Sequence, residues 1–395
     1  MVHDRYLRIL AAAIAVSAVG DWVAVIALGF RVNDMWKGGV ALLLICLWSP
    51  LAVLAGHVGL LVDRVETRTL ALAANLFQAL VAVALAFATS LASILALAIL
   101  LGVGIAVASA AEFALVPLLA GSRDIGRANG LVESARGLGF VAGPAIGGLV
   151  AGGAGTRYAM LADAGSFLAI GAVLAVLPVR RRVVHQVEAK PRARDGFALL
   201  FTRDRVLAVT LGTGAIGLVF MSASIPGDFA YAQDTLGIGR VAFGFVLTAW
   251  AIGMIVASNT LPQRVPIALV GTVTLAAACV QGAAKFIAPF WPLYVVMLVF
   301  WAIGGMGHGL KNTGFRTLIH QRVDASHHGR AFAAFNGLRN AAELAALAGG
   351  AVLVNTVGGR GTLWIAGGVS ALAALVGVAA LSTGRAQRAA AANAS

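Results

Sequence analysis

The stretch Gly56-His57-Val58-Gly59-Leu60-Leu61-Val62-Asp63-Arg64-Val65-Glu66-Thr67-Arg68 marks the join between two apolar runs, 39–62 and 68–89. Each run is as long as the roughly 20 residues an α-helix needs to cross a bilayer's hydrocarbon core. The charges are gathered where one run gives way to the next. Both runs are continuously apolar, so they lack the alternation that marks the strands of a membrane barrel.

The same pattern repeats along the chain. Further runs cover 7–30, 92–120, 127–152 and 157–178 before the middle, then 204–229, 239–261, 265–286, 291–319, 329–355 and 361–382 after it. Twelve such segments consume nearly all of the 395 residues, of which 60% are hydrophobic and 11% charged. Soluble domains carry about 25% charged residues. The expectation is an all-α membrane protein with twelve transmembrane helices. The opening, with Arg5 and Arg8 before an apolar run, has the shape of a signal peptide. The run continues past Asp21 to Phe30, so it reads as a retained first span.

The longest polar stretch, 180–203, opens with Arg180, Arg181 and Arg182 and divides the chain near its middle. The expected organisation is a six-helix bundle over 1–179, a basic cytoplasmic linker over 180–203, and a second six-helix bundle with a short tail over 204–395. The halves read as a duplication. Gly126-Arg127-Ala128 returns as Gly329-Arg330-Ala331, and at the same offset Arg136 falls on Arg339 and Gly147 on Gly350. Parallel repeats of this kind build two-bundle transporters.

Lys and Arg total 29 against 16 acids, for a net charge of +13. These cations punctuate the apolar segments, as topology signals do, and do not form a nucleic-acid-binding face. With the N-terminus inside, twenty fall on the cytoplasmic side and six outside: Arg31, Lys37, Arg157, Arg240, Lys285 and Arg360. Both termini are therefore expected in the cytoplasm. Arg greatly outnumbers Lys, and Ala and Gly are abundant, a composition of GC-rich bacterial genomes. The expected location is a bacterial inner membrane. Cys46 and Cys279 lie in apolar runs and provide neither a metal spacing nor a disulfide framework.

Gly56, Gly59, Asp63, Arg64 and Arg68 together resemble the cytoplasmic 2–3 loop signature of the major facilitator superfamily. The glycines allow close helix approach, and Asp63 at a helix end is placed to pair with a neighbour and gate a rocking motion. The second half has Gln263-Arg264 at the corresponding place, without the acid. The fifth segment contains Gly139-Phe140-Val141-Ala142-Gly143-Pro144-Ala145-Ile146-Gly147-Gly148. This resembles the superfamily's antiporter motif at every specified position: Gly139, Gly143, Pro144, Gly147 and Gly148. In that family the motif accompanies exporters. Ser17 to Trp22, Leu115 to Pro117, Arg127 to Asn129 and Asn312 to Thr317 look like the branch with siderophore exporters and macrolide efflux proteins. The resemblance implies the major facilitator fold, two pseudo-symmetric six-helix bundles.

Ionisable groups inside the spans are the candidate chemistry: Asp21, Glu112, Glu133, Arg136, Asp163, Lys311, Arg339 and Glu343. A charge at mid-bilayer costs about 2.5–3.5 kcal/mol on insertion scales, so it is usually paired or functional. Glu112 lies about 12 Å from the inner end of its span, and Asp21 about 24 Å beyond Arg5, at the helical rise. Glu133 and Arg136 are three apart on one helix face, so Arg136 is expected to be shared between Glu112 and Glu133. Such a trio would bias the protonation of its acids. Asp21, Glu112, Glu133, Arg136, Lys311, Arg339 and Glu343 are the expected substrate and proton-coupling residues. Asp163 and Asp228 lie within two turns of outer ends, where water is expected to reach them. His57 is the only deep histidine of the first half's segments, near the inner end. His320, Asp324, His327 and His328 read as a solvated loop.

The sequence has no Walker loop, nucleophile elbow or His-Glu-x-x-His element. The function expected is proton-coupled efflux of a small organic molecule, such as a drug, secondary metabolite or siderophore. The alternatives are a lipid flippase of the same fold, since Gly20-Asp21 is not confined to drug exporters, and then a membrane receptor or intramembrane enzyme. No enzyme activity, cofactor or metal is expected. The expected partners are the lipid bilayer, a small-molecule substrate and protons, and the expected state is a monomer.

Overall fold

The computed structural model describes residues 2–120, 125–178, 193–202, 204–260, 265–324 and 327–393. Among the described residues the regular structure is entirely helical. In hydrocarbon, a continuous helix satisfies every backbone donor and acceptor within its own segment. The chain divides into two compact units: 1–188 with 239–248, and 189–238 with 249–395.

Unit 1 begins with α1 (Val2–Met35), α2 (Gly39–Val53) and α3 (Ala55–Arg64). It continues with α4 (Thr67–Phe87), α5 (Leu91–Ala120), α6 (Ile125–Gly153) and α7 (Thr156–Val176). Unit 2 holds α8 (Ala193–Phe201), α9 (Arg205–Ala223), α10 (Ile225–Ala230), α12 (Val270–Ile287), α13 (Tyr294–Arg322) and α14 (His328–Asn393). The helix α11 (Arg240–Thr260) contributes its opening residues to unit 1 and the rest to unit 2. The nine-residue α8 occupies the C-terminal part of the expected linker. Residues 179–192 lie outside the described residues.

Among the described residues, ten helical segments are long and apolar enough to cross a membrane. The hydropathy reading has twelve, and the difference arises at two places with local causes. The expected run 39–62 is broken between α2 and α3 at Leu54. Pro50, inside α2, has no N–H for the Cys46 carbonyl. The Leu54 N–H still donates to the Pro50 carbonyl, and the break leaves α2 with 15 residues, short of a full span. The second place is α14, whose 66 residues would span about 99 Å if straight. Gly358 interrupts it at φ 71° and ψ 178°, a conformation open to glycine. Its packing shows the reversal. A Cβ on Gly350 would strike the Ala223 backbone, and one on Gly359 the backbone of Ala230 and Tyr231. Beyond the break, Ser370 donates to the Gly217 carbonyl and a Cβ on Gly377 would strike Thr213. The chain thus runs alongside α9 and α10 to Gly358, then returns antiparallel.

The glycines of α6 explain the unit 1 core. Cβ atoms on Gly139, Gly143 and Gly147 would fall 2.5, 2.3 and 3.0 Å from Ala18, Trp22 and Val23 of α1. A Cβ on Gly148 would meet the Arg240 carbonyl at 2.5 Å, and one on Gly244 the Pro144 carbonyl at 2.4 Å. Small residues substitute backbone contact for side-chain interdigitation. At the end of α6, Gly155 turns the chain into α7 at φ 89°. Thr156 then donates to the Ala27 carbonyl, tying α7 to α1.

Each unit has its own apolar cluster. In unit 1, Leu10, Ile14, Leu115, Leu119, Val132 and Leu174 pack together. In unit 2, Leu207, Leu211, Phe315, Leu318 and Ile319 do the same. Large apolar side chains also face outward, including Leu80, Leu138, Leu168, Val176 and Leu372. That outward apolar surface suits lipid.

Candidate functional site

Unit 1 buries an acid in the middle of its helices. Glu112 of α5 is 7% exposed. Its Oε2 lies 3.5 Å from Arg136 Nη2 of α6, and its Oε1 accepts from Asn75 Nδ2 of α4 at 3.3 Å. Asn75 also donates to the Ala71 carbonyl, which holds its amide in place. The Arg136 guanidinium lies 5.2 Å from the centre of the Phe113 ring. Asp21 lies within electrostatic reach of both Glu112 and Arg136.

Asp163 of α7 is fully buried, and Ser166 donates to its Oδ1 at 3.3 Å. Among the described residues its Oδ2 has no hydrogen-bond partner. A Cβ on Gly20 would fall 2.7 Å from Asp163 Oδ1 and 2.6 Å from Ser166 Oγ. Gly20 thus leaves room for the Asp163–Ser166 pair, while Asp21 beside it lies within electrostatic reach of Asp163. The Gly20-Asp21 pair of the sequence accordingly joins packing to charge.

Unit 2 holds a larger polar network. The Lys285 ammonium of α12 donates to Ser224 Oγ at 2.7 Å and to Asp228 Oδ1 and Oδ2 at 2.9 and 2.7 Å. It lies 5.4 Å from the ring centres of both Trp250 and Trp301. One turn earlier on α12, Gln281 Oε1 accepts from Lys311 Nζ of α13 at 2.8 Å. The Gln281 amide nitrogen lies 3.2 Å from His308 Nδ1. The Gln281 oxygen faces the ammonium, so its NH₂ is directed at Nδ1; a neutral imidazole accepts at one ring nitrogen and donates at the other. Asn312 Nδ2 lies 2.8 Å from His308 Nε2. Arg339 and Glu343 of α14 lie within electrostatic reach of Lys311.

The glycines of α13 seat this network. A Cβ on Gly307 would strike the Ala277 and Gln281 backbone, one on Gly305 the Trp250 carbonyl, and one on Gly309 the Met254 carbonyl. Lys311 therefore emerges from a helix pressed closely against α11 and α12.

The comparisons agree with these helices and their burial. Residues 10–263 match the Major Facilitator Superfamily profile. The chain belongs to the major facilitator superfamily. It is a multi-pass membrane transporter with the fold of that superfamily, and not an enzyme. It is 22% identical over 372 residues to the uncharacterised MFS-type transporter YfiS of Bacillus subtilis (strain 168), covering 90% of this chain and 88% of that one. Its fold resembles the nucleoside transporter NupG, at TM-score 0.73 and 15% identity, over 96% of this chain and 99% of that one. It also resembles a bacterial homologue of the human lysosomal transporter Spinster, at TM-score 0.74 and 13% identity, over 96% and 97% of the two chains.

Within this facilitator, several expected site residues meet and others do not. Glu112 and Arg136 pair as their depths suggest. Glu133 does not share the arginine: it is exposed, and among the described residues the ion pair of Arg136 goes to Glu112. Three residues along a helix turn a side chain by 300°, so Glu133 stands 60° from Arg136, beyond the edge of the buried stripe. Asp163 and Asp228, expected at wet outer ends, are 0% and 6% exposed. Lys285, counted among the outside charges, is 4% exposed and forms the ion pair with Asp228.

The loop signature is partly described. Arg68 donates to the Leu177 carbonyl at 2.6 Å and to the Ala175 carbonyl, which caps the end of α7. Glu66 accepts from the backbone of Arg68 and Thr69 and caps the start of α4. Arg64 is exposed. Gly56 and Gly59 belong to α3, and the side chain of Asp63 lies outside what is described. Two residues that the sequence did not single out, His308 and Gln281, join the unit 2 network. The available signal was spacing: His308, Lys311, Asn312 and Phe315 form an i, i+3, i+4, i+7 stripe on α13.

Proposed function

We propose that this transporter is a proton-coupled exporter of a small organic molecule, working by alternating access in a bacterial inner membrane. In this reading both termini and the linker are cytoplasmic, and the working unit is a monomer. The drug, secondary-metabolite and siderophore exporters remain the nearest functional analogy, through the Gly139 to Gly148 motif and the Gly20-Asp21 element.

The observation that carries the reading is Glu112. It is a buried carboxyl with one neutral donor, Asn75, and one charged neighbour, Arg136, at a loose 3.5 Å. A carboxyl in that setting can exist with or without a proton, and the distance to Arg136 weighs one form against the other. A helix movement that shifts Arg136 would change the balance and so tie proton movement to the transport cycle. Asp21, within reach of the same pair, offers a second proton position.

The test uses the reconstituted protein in proteoliposomes, with a panel of labelled compounds and an imposed pH gradient. Wild-type protein should move at least one compound against its gradient at the expense of protons. Glu112→Gln should lose the gradient-driven component and retain exchange without a gradient. Wild-type gradient dependence in Glu112→Gln and in Asp21→Asn would remove both acids as proton carriers.

A further inference from the structure

The two units build the same three-helix arrangement around opposite charges. In unit 1, α5 presents Glu112, which is bonded to the Asn75 amide of α4 and faces Arg136 of α6. In unit 2, α13 presents Lys311, which is bonded to the Gln281 amide of α12. Arg339, on α14, stands within electrostatic reach. A carboxylate thus answers the arginine in unit 1, whereas in unit 2 an ammonium lies within electrostatic reach of it.

Lys311 is also under-satisfied for a buried cation. It is 2% exposed, and among the described residues its ammonium has one acceptor, the neutral Gln281 oxygen, and no ion pair. Lys285 in the same unit provides the contrast, with three contacts to Ser224 and Asp228. An ammonium has three protons to donate, and a buried charge ordinarily has a partner. Glu343 lies within electrostatic reach of Lys311 and Arg339. His308, Asn312, Arg339 and Glu343 are each partly exposed. Polar groups exposed within membrane spans face a water-filled cavity in preference to lipid.

We propose that unit 2 carries an anion site at which Lys311 and Arg339 hold the carboxylate of a small organic acid. The ligand carboxylate would occupy the chemical role that Glu112 fills in unit 1. The His308 ring and the Asn312 amide line its polar side, and Trp250, whose ring centre is 5.6 Å from that of His308, offers an aromatic wall. A carboxylate on an aromatic or apolar body therefore fits the surroundings. The site rests on the transport reading only in taking the bound acid to be cargo.

The test is thermal denaturation of the purified full-length protein in detergent, with benzoate as probe and benzamide as its neutral counterpart. Benzoate should raise the melting temperature of the wild type, and benzamide should not. Lys311→Glu supplies the unit 1 arrangement and should fold at least as stably as wild type while losing the benzoate shift. Lys311→Gln should weaken apparent benzoate affinity about tenfold or more, and Lys311→Arg should retain binding. Equal shifts with benzoate and benzamide, no benzoate shift in wild type, or an unchanged benzoate shift in Lys311→Glu and Lys311→Gln would overturn the site. Glu112→Gln separates the two proposals, because it should abolish proton coupling and leave the benzoate shift intact. A benzoate shift in a protein without gradient-driven transport would sink the export reading and leave the anion site standing.

Discussion

The Lys285 ammonium donates to both carboxylate oxygens of Asp228, with the two side chains 5% and 8% exposed and 57 residues apart in the chain. This contact joins α10 to α12 inside unit 2. Ser224, at the junction of α9 and α10, supplies the remaining close acceptor. Two charges that would each be costly in the bilayer core become tolerable because they are buried together.

Removing one partner leaves the other charge buried alone. Asp228→Asn or Lys285→Met should each destabilise the protein by about 3–5 kcal/mol. Replacing both, as Asp228→Leu with Lys285→Met, should recover most of the loss. Melting curves of the purified single and double variants provide the check. Additive losses in the double variant would mean that the two residues stabilise the unit through separate contacts.

The glycine face of α6 makes a sharper packing prediction. A Cβ at Gly143 would come within 2.3 Å of Trp22 Cβ, whereas one at Gly137 would meet nothing within 4 Å. Gly143→Leu should therefore cost about 1–3 kcal/mol or more through overpacking, and Gly137→Ala should change little. Detergent melting temperatures measured side by side distinguish the sites. Equal tolerance at both positions would mean that α1 and α6 do not meet along this face.

Topology can be read by labelling single cysteines in a background lacking Cys46 and Cys279. Lys37→Cys should react with an impermeant maleimide in intact cells. Arg194→Cys should react only after the membrane is opened. Reaction of Arg194→Cys in intact cells would reverse the orientation that the Lys and Arg distribution suggests.

The helices themselves were legible in the sequence because hydrocarbon leaves the backbone few choices. A run such as 68–89 is long, apolar and uninterrupted, and α4 occupies Thr67–Phe87. The glycines of α6 were equally readable, since a stripe of missing side chains predicts close approach whatever the partner helix. The Glu112–Arg136 pair followed from matched depths on consecutive spans.

What tertiary structure alone decided was rotation and partnership. Hydropathy counted Lys285 as a loop charge because it stands near the end of its apolar run. Packing turns it inward instead, onto an acid of another helix. Glu133 and Arg136 have suitable spacing to pair, yet the edge of the buried stripe on α6 falls between them. Gln281 carries no charge, so nothing in the sequence marked it until Lys311 and His308 were found on either side of its amide. Depth along a helix is encoded locally, by counting residues at a fixed rise. The direction in which a side chain points depends on which neighbouring helix covers that face, a property of the packed unit.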